Sequence, residues 1–390
     1  MEIKAKERNY GIDLLRIVSM FMVVVLHVLG HGGILDITTG LTLKGEVAWF
    51  LEIACYCAVN CYALISGYVA YKSNRKWRTF ISLWLQVVFY CILINVVDIV
   101  VLIINTNNLP VLGGTEIVKI ILNMFLPILT NQYWYFTAYA GIFLCMPILN
   151  IVIKHAPRNI LKVTIISLLF ILYIGERLFS ASSFGFRDGY SFPWLALVYV
   201  IGGYMAKCNS LSSRLSVKKS FLYYGLCIAL TFLARVAMEL IVYCYKGMVV
   251  KNGWESLIIA YTMPTILLAA TFLLNAFSRM EFKEKYQKII SLMSPLAFGV
   301  YLIHTHPIVF AKLEGVFIGF ADSNVFLMVV CVILTAICIY LICTVIEILR
   351  VLLFKLCRVK KLSVVLENLI KKIREKFSHF LGIEPGADNE

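Results

Sequence analysis

Ten long apolar runs constrain the fold of this chain more than any other feature of its sequence. A helix needs about 20 predominantly apolar residues to cross the hydrocarbon core of a bilayer. The runs cover residues 12–30, 47–70, 79–104, 133–153, 160–180, 191–206, 219–245, 255–277, 294–318 and 322–349. They predict an all-α, polytopic membrane protein with about ten transmembrane helices. Residues 116–130 are also apolar, but this short segment contains Pro127, so a re-entrant or interfacial piece is expected rather than an eleventh crossing.

The composition excludes a soluble protein and argues against a nucleic-acid-binding one. Hydrophobic residues make up 61% of the chain and charged residues only 15%, whereas soluble domains have about 25% charged residues. The net charge is +14, but the lysines and arginines are concentrated in short segments between the apolar runs. Cytoplasmic loops of membrane proteins have this pattern. The lipid bilayer is therefore an expected partner, and no nucleic acid is expected.

The distribution of basic residues also predicts the orientation in the membrane. Most of the 36 lysines and arginines fall in six segments, which are 1–11, 72–79, 154–162, 207–219, 278–288 and 350–390. The loops on the opposite side contain only Lys44, Arg177, Arg187, Lys246 and Lys251. Because basic loops remain in the cytoplasm, both the N-terminus and the C-terminus should be cytoplasmic.

The end of the chain differs from the apolar runs. Residues 361–380 combine an apolar face with a basic face at helical spacing, which is typical of a helix lying flat on an anionic inner leaflet. The tail over 382–390 is expected to be disordered. The expected organisation is a transmembrane domain over 1–354, followed by a cytoplasmic amphipathic helix and tail over 355–390.

The first run and the residue directly after it carry four polar residues that a simple membrane anchor would lack. Asp13, Arg16, His27 and His31 share one face of a helix, because each residue turns it by about 100°. An ionisable group at membrane depth is costly and usually faces a protein cavity. Two interpretations follow. The face is a functional site, or Asp13 and Arg16 pair at the cytoplasmic edge while both histidines reach the far interface.

A second polar cluster precedes the third run. Arg75 and Arg78 are three residues apart and share a face if this segment is helical. Guanidinium groups bind phosphate with bidentate geometry, so the pair is a candidate phosphate site. The alternative is a cytoplasmic loop that carries positive charge only for topology.

A third cluster lies in the ninth run, where Tyr301 and His304 are one turn apart. Pro307 should free a backbone carbonyl within the membrane. His306 points elsewhere and is expected to be a packing residue. The histidines of the first and ninth runs could form a metal site only with the carboxylate partners that such ligands need. These partners are not evident, so no metal is expected.

Three smaller features complete the sequence pattern. Trp134, at the start of the fourth run, belongs to an aromatic segment that is either an interfacial belt or a sugar platform. Ser66 and Gly67 are small enough to let two helices approach closely. Arg235 and Glu239 are spaced for an ion pair along one helix.

Together, the clusters resemble the acyltransferase-three family of integral membrane O-acyltransferases. Arg16 and His27 match its signature of Arg, ten residues and His, and Arg75 with Arg78 matches its Arg-x-x-Arg motif. Further similar segments are Ile65-Ser-Gly-Tyr68, Trp134-Tyr-Phe, Met146-Pro-Ile-Leu149 and Tyr301-Leu-Ile-His304. The similarity extends from Asn9 to about Phe354. The sequence departs from the family where Arg78 is not followed by the usual proline and where Thr-His-Pro follows His304.

The resemblance implies transfer of an acyl group, expected to be acetyl, from acetyl-CoA to a carbohydrate hydroxyl. The acceptor would be a cell-envelope glycan or its lipid-linked precursor, in a bacterial plasma membrane, with no bound cofactor. The implied roles are catalysis for His27 and His304, donor binding for Arg16, Arg75 and Arg78, and substrate binding for Trp134 and Tyr301. The alternative is a transporter or flippase that exports a glycan precursor through the same buried polar residues. An inverted repeat would favour that alternative, and none is found. The sequence does not indicate an oligomeric state.

Overall fold

The computed structural model describes residues 8–38, 40–73, 76–106, 113–178, 185–208, 215–249 and 257–380. In this part of the chain there are α-helices and no β-strand. The helices are α1 (Tyr10–Leu26), α2 (Ile34–Ile37), α3 (Leu43–Cys55), α4 (Ala58–Ala70), α5 (Trp77–Thr106), α6 (Gly114–Phe125), α7 (Trp134–His155), α8 (Arg158–Leu178), α9 (Phe192–Cys208), α10 (Val217–Lys246), α11 (Pro264–Ser278), α12 (Glu284–Met293), α13 (Ala297–His304), α14 (Pro307–Leu313), α15 (Val325–Leu356) and α16 (Val359–Phe380). A π-helical turn, His27–His31, continues α1.

Among the described residues, 8 helical segments are long and apolar enough to cross a membrane. They are Tyr10–Ile37, Leu43–Ala70, Trp77–Thr106, Trp134–His155, Arg158–Gly175, Val217–Lys246, Glu284–His304 and Val325–Leu356. The shorter apolar helices α9 and α11 overlap the sixth and eighth predicted runs. The prediction of an all-α polytopic membrane protein is confirmed.

The ninth apolar run does not form one helix, contrary to the prediction of a single span over 294–318. The helical segment begins earlier, at Glu284, and ends at His304. A new helix, α14, begins at Pro307. Proline lacks an N–H and disfavours helical geometry in the residue before it, which explains the interruption. His306 caps the new helix, because its Nδ1 accepts a hydrogen bond from the backbone N–H of Ile308 at 3.3 Å.

The chain divides into two compact units. The first comprises Met1–Asn74 and Asn131–Thr344. Helix α1 is central to this unit, because it contacts α3, α4, α11, α12 and α13. Its side chains Leu15 and Val24 are fully buried. Asn9 holds the start of the helix, since its Oδ1 caps the N–H of Ile12 and its Nδ2 donates to the carbonyl of Ser278. The polar face of α1 is therefore fixed by its neighbours.

Helices α4 and α9 approach each other closely in the first unit, as the small residues of α4 predicted. A methyl group on Gly67 would overlap the backbone carbonyl of Tyr199, and one on Gly202 would overlap that of Leu64. Only glycine fits at these two positions. The predicted close approach at Gly67 is confirmed.

Gly67→Ala is expected to destabilise the protein by at least about 1–3 kcal/mol, the usual cost of overpacking. The added methyl group meets backbone atoms, which cannot move aside as a side chain can. The thermal midpoint in detergent, followed by size-exclusion chromatography, measures the effect. Gly225→Ala is the matched control, because nothing lies within 4 Å of a methyl group there. An equal midpoint for the two variants would contradict the proposed packing.

The second unit comprises Arg75–Thr130 and Val345–Glu390. Its buried Glu347 accepts hydrogen bonds from Gln86 Nε2 at 3.1 Å, Tyr90 Oη at 2.6 Å and Arg350 Nε at 3.0 Å. Helix α6 has only 12 residues and ends before Pro127, so it is too short to span a bilayer. The amphipathic helix predicted over 361–380 is present as α16, whereas its position on the inner leaflet stays a prediction.

The predicted topology places position 36 outside the membrane and position 285 in the cytoplasm. Both residues are exposed in the structure. In a background without native cysteines, Asp36→Cys should react with an impermeant maleimide in intact cells, and Lys285→Cys should react only after permeabilisation. Labelling of position 285 in intact cells would contradict the orientation that the basic loops predict.

Candidate active site

The first unit encloses a cavity of about 770 Å³. Its walls come from α1 and its π-helical turn, from α3, α4, α7, α13 and α14, and from the segments before α9 and α11. Ten of the lining side chains are aromatic, among them Tyr56, Tyr62, Trp134, Tyr261, Tyr301 and Phe310. The histidines and glutamates in the lining are His27, His31, Glu52 and Glu314, and no lysine or arginine of the described residues lines it.

His27 and His304 form a hydrogen-bonded pair at this cavity. His304 is 1% exposed, and its Nδ1 lies 2.6 Å from the backbone carbonyl of Val300. A carbonyl oxygen only accepts hydrogen bonds, so Nδ1 of His304 carries the proton. The Nε2 of a neutral His304 is then an acceptor, and it lies 3.0 Å from Nδ1 of His27.

This network assigns the tautomer of His27. Its Nδ1 must donate to His304, so the Nε2 of the neutral ring keeps a free electron pair. His27 is half-buried and lines the cavity. An imidazole whose second nitrogen is held by a hydrogen bond is fixed in orientation and in tautomer. The arrangement provides an oriented acceptor for a proton, which is what a general base requires.

The π-helical turn explains how His27 and His31 face the same cavity. The N–H of Gly32 bonds to the carbonyl of His27 at 2.8 Å, five residues earlier. Such turns widen a helix locally and are frequent at functional sites. Phe310 of α14 fills the space beside both rings, stacking on His31 at 3.6 Å and meeting His27 edge-on at 5.0 Å. The backbone carbonyl of Phe310 accepts a hydrogen bond from Nε2 of His31 at 2.7 Å.

Asp13 and Arg16 form the ion pair that one of the two interpretations of this face predicted. Asp13 also binds Arg8 at 2.5 Å and accepts a hydrogen bond from Ser294 Oγ at 3.3 Å. The two histidines line the cavity, and their reach to the far interface of the membrane stays a prediction. The first helix therefore has a paired cluster near its N-terminus and a cavity-facing pair of histidines at its other end.

Arg16 is not among the described residues that line the cavity, but the cavity extends toward it. Met20 and Val23 line the wall and lie on the same stripe of α1 as Arg16 and His27, at helical spacing. Tyr62, another lining residue, donates a hydrogen bond to the backbone carbonyl of Arg16 at 2.6 Å. Eleven residues of helix separate Arg16 from His27 by about 16 Å. The cavity wall therefore follows this stripe of α1 from His27 to Met20, one helical turn from Arg16.

Trp134 and Tyr301 both line the cavity. Trp134 packs against Tyr190 and Tyr261, with ring centroids 4.9 and 6.4 Å away. Tyr301 lies one turn before His304 and contacts the ring of Tyr133 at 5.7 Å. The structure thus brings Trp134, Tyr301, His304 and His27 to one place, although they are far apart in the sequence.

The remaining predicted residues lie elsewhere or are not described. Arg75 lies outside the described residues. Arg78 is in the first turn of α5, which belongs to the second unit. His306 caps α14 and is not among the described residues that line the cavity. Within the described part of the chain, no group of three or more His, Cys, Asp or Glu residues is arranged to hold a metal ion.

Sequence reasoning missed several residues of the cavity. An isolated aromatic residue that follows a break between helices gives no periodic signal in the sequence. Tyr190, Tyr261 and Phe310 each follow such a break. Glu52 did give a signal, since it is a charged residue within an apolar run. Its position at the cavity could be found only from the packing of α3 against the π-helical turn.

Comparison with known proteins identifies the family. The family model of the acyltransferase domain called acyltransferase-three matches residues 9–345. No curated protein and no solved structure matches the chain significantly. The match covers most of the chain, including the helices that carry the histidine pair and the lining of the cavity. The chain belongs to the acyltransferase-three family and is a multi-pass membrane acyltransferase.

Proposed function

We propose that the protein transfers an acetyl group from acetyl-CoA to a hydroxyl of a cell-envelope glycan or of its lipid-linked precursor, in a bacterial plasma membrane. One observation carries the proposal. His27 lines a cavity large enough for a sugar, and its Nδ1 is bound to His304 at 3.0 Å, so its Nε2 is available as a base.

In the proposed reaction, Nε2 of His27 takes the proton of the acceptor hydroxyl while the hydroxyl oxygen attacks the thioester carbonyl carbon. The tetrahedral intermediate then collapses, the carbon–sulfur bond breaks, and the proton passes from His27 to the leaving thiolate. The products are an acetyl ester and coenzyme A. The positive charge on His27 between these steps is stabilised by its hydrogen bond to His304. A general base of this kind contributes about 10²–10⁴-fold to the rate.

The donor would enter from the cytoplasmic side. The basic loops predict that the N-terminal end of α1, with Arg16, faces the cytoplasm. The stripe from Arg16 to His27 has a length that an extended pantetheine arm can follow. Arg16 would contact the phosphate groups, and Arg75 and Arg78 keep the phosphate-binding role that the resemblance implies for their motif.

The acceptor would occupy the aromatic part of the cavity. Trp134 and Tyr301 offer ring faces on which the apolar side of a sugar can stack. In the predicted orientation, both residues lie toward the outer side of the membrane. This position suits an acceptor that is assembled or displayed outside the cytoplasm. Membership of an acyltransferase family supports this proposal over the transporter alternative.

Arg16→Ala and Arg78→Ala should each raise the apparent KM for acetyl-CoA by about tenfold or more, since a charge-assisted hydrogen bond contributes about 1.5–3 kcal/mol. Lys72→Ala is the matched control, because Lys72 is an exposed cation just before the arginine motif. Initial rates at varied acetyl-CoA concentrations measure the effect. Equal and small changes in all three variants would mean that these arginines serve only topology and packing.

The proposal is tested with membranes that contain the protein, incubated with acetyl-CoA carrying a radioactive acetyl group and with the envelope fraction of the host. Label should appear in the glycan and should be released by mild alkali, which cleaves esters. Membranes without the protein are the control. Absence of alkali-labile label in the glycan under conditions where the protein is intact would contradict the proposal.

A further inference from the structure

One buried carboxylate in the first unit differs from the others. The buried acidic residues in the described part of the chain are Asp13, Glu52, Glu239 and Glu347. Asp13 binds Arg8 and Arg16, Glu239 binds Arg235, and Glu347 accepts four hydrogen bonds. Oε2 of Glu52 has no hydrogen-bond partner among the described residues.

Glu52 lies at the wall of the cavity. Its exposure is 8%, and it is one of the lining residues. A methyl group on Gly30 would stand 4.0 Å from Oε1 of Glu52, so the carboxylate faces the π-helical turn that carries His27 and His31. The rings of Tyr56 and Tyr261, which also line the cavity, pack on each other at 4.9 Å.

A carboxylate in this position needs a partner that the protein does not supply. A buried polar group without a hydrogen bond is costly, and a buried charge without one is costlier still. A ligand in the cavity can supply the missing donors. An ionised carboxylate can only accept hydrogen bonds, and hydroxyl or ammonium donors of a ligand stabilise this ionised form, so these are the complementary groups. An anionic group would be repelled, and no lysine or arginine among the described lining residues offsets this repulsion.

We propose that Glu52 is an acceptor-binding residue whose carboxylate accepts hydrogen bonds from hydroxyl or ammonium groups of the acceptor sugar and excludes acidic sugars. This inference rests on the proposed function and adds the class of sugar to it. Glu52 faces the turn that begins at His27, so a sugar bound to the carboxylate places a further hydroxyl at Nε2 of His27. The same contact therefore selects the acceptor and orients it for acetylation.

Saturation-transfer NMR on the purified full-length protein in detergent tests the inference with three probes. These are a neutral methyl glucoside, a cationic methyl glucosaminide and an anionic methyl glucuronide. The wild type should bind at least one of the first two at least about tenfold more tightly than the glucuronide, as loss of a charge-assisted hydrogen bond implies. The relative affinities of the glucoside and the glucosaminide distinguish hydroxyl from ammonium recognition.

Glu52→Gln keeps the size of the side chain and removes its charge. This variant should lose most of the preference against the glucuronide and weaken binding of the preferred probe by about tenfold. Glu314→Gln is the matched control, because Glu314 also lines the cavity but is exposed. It should keep the preference of the wild type.

Tight binding of the glucuronide by the wild type, or no binding of any of the three probes, would overturn the inference. Equal changes of preference in Glu52→Gln and Glu314→Gln would also overturn it. Failure of the proposed function would be detected in a separate experiment, as absence of alkali-labile acetate after incubation with acetyl-CoA. The binding of the glycosides does not depend on that result, because it is measured without the donor. The wild-type preference alone decides the question if Glu52→Gln does not fold.

Discussion

His27→Ala is expected to reduce acyl transfer by about 10²–10⁴-fold, the contribution that a general base usually makes. The variant should remain folded and inserted, because a small apolar residue suits a membrane helix. A general base acts only in its neutral form, so transfer by the wild type should also fall as the pH is lowered and His27 gains a proton. The residual activity of the variant should lack this pH dependence. Initial rates across a pH series, at matched protein levels, measure both effects.

His31→Ala is the matched control for this experiment. His31 is one turn away and lines the same cavity, but its Nε2 is bound to the backbone carbonyl of Phe310. Its removal should cost less than about tenfold, since no proton transfer is assigned to it. If His27→Ala keeps near-normal transfer while His304→Ala abolishes it, the general base is His304 of α13 and not His27. If both variants retain activity, the shared polar face of α1 is structural.

His304→Ala is expected to have the second largest effect, a loss of about 10–10²-fold, by analogy with groups that orient an essential histidine. Without His304, Nδ1 of His27 loses its acceptor at 3.0 Å, so the ring can rotate and either tautomer can form. His304→Gln offers an amide oxygen that can accept the same hydrogen bond. We therefore expect partial recovery of kcat in His304→Gln relative to His304→Ala.

The distinguishing measurement is kcat at saturating acetyl-CoA, compared with the KM for acetyl-CoA. A positioning role lowers kcat and leaves the KM nearly unchanged. Equal loss in the alanine and glutamine variants, despite equal protein levels, would contradict the orienting hydrogen bond. A rise in the KM alone would place His304 with the donor rather than with the base.

The sequence predicted the polar face of α1 because helical geometry alone determines which residues share a face. The spacing of Arg16 and His27 requires no knowledge of the neighbouring helices. The same holds for the close approach at Gly67, where a single small residue in an apolar run indicates a helix contact. These features are local, so the pattern of one helix is sufficient.

Features that depend on several helices could not be predicted in this way. Nothing in the spacing of the ninth run places His304 Nε2 at 3.0 Å from His27 Nδ1, since α13 and α1 are joined only through tertiary packing. The position of Phe310 depends on the helix break before Pro307. For that proline, the sequence predicts only a freed backbone carbonyl. Likewise, the charge of Glu52 was visible in the sequence, whereas its lack of a hydrogen-bond partner is a property of the packed structure.

In the proposed function, this membrane acyltransferase esterifies an envelope glycan with His27 as the base. The most direct test is to measure alkali-labile acetate on the envelope glycans of a deletion strain complemented with wild-type protein or with His27→Ala at equal levels. We predict that the acetate is present with the wild type and absent with the variant, while the amount of glycan at the surface is unchanged. Equal acetate in both strains, or loss of the glycan itself from the surface, would contradict the claim.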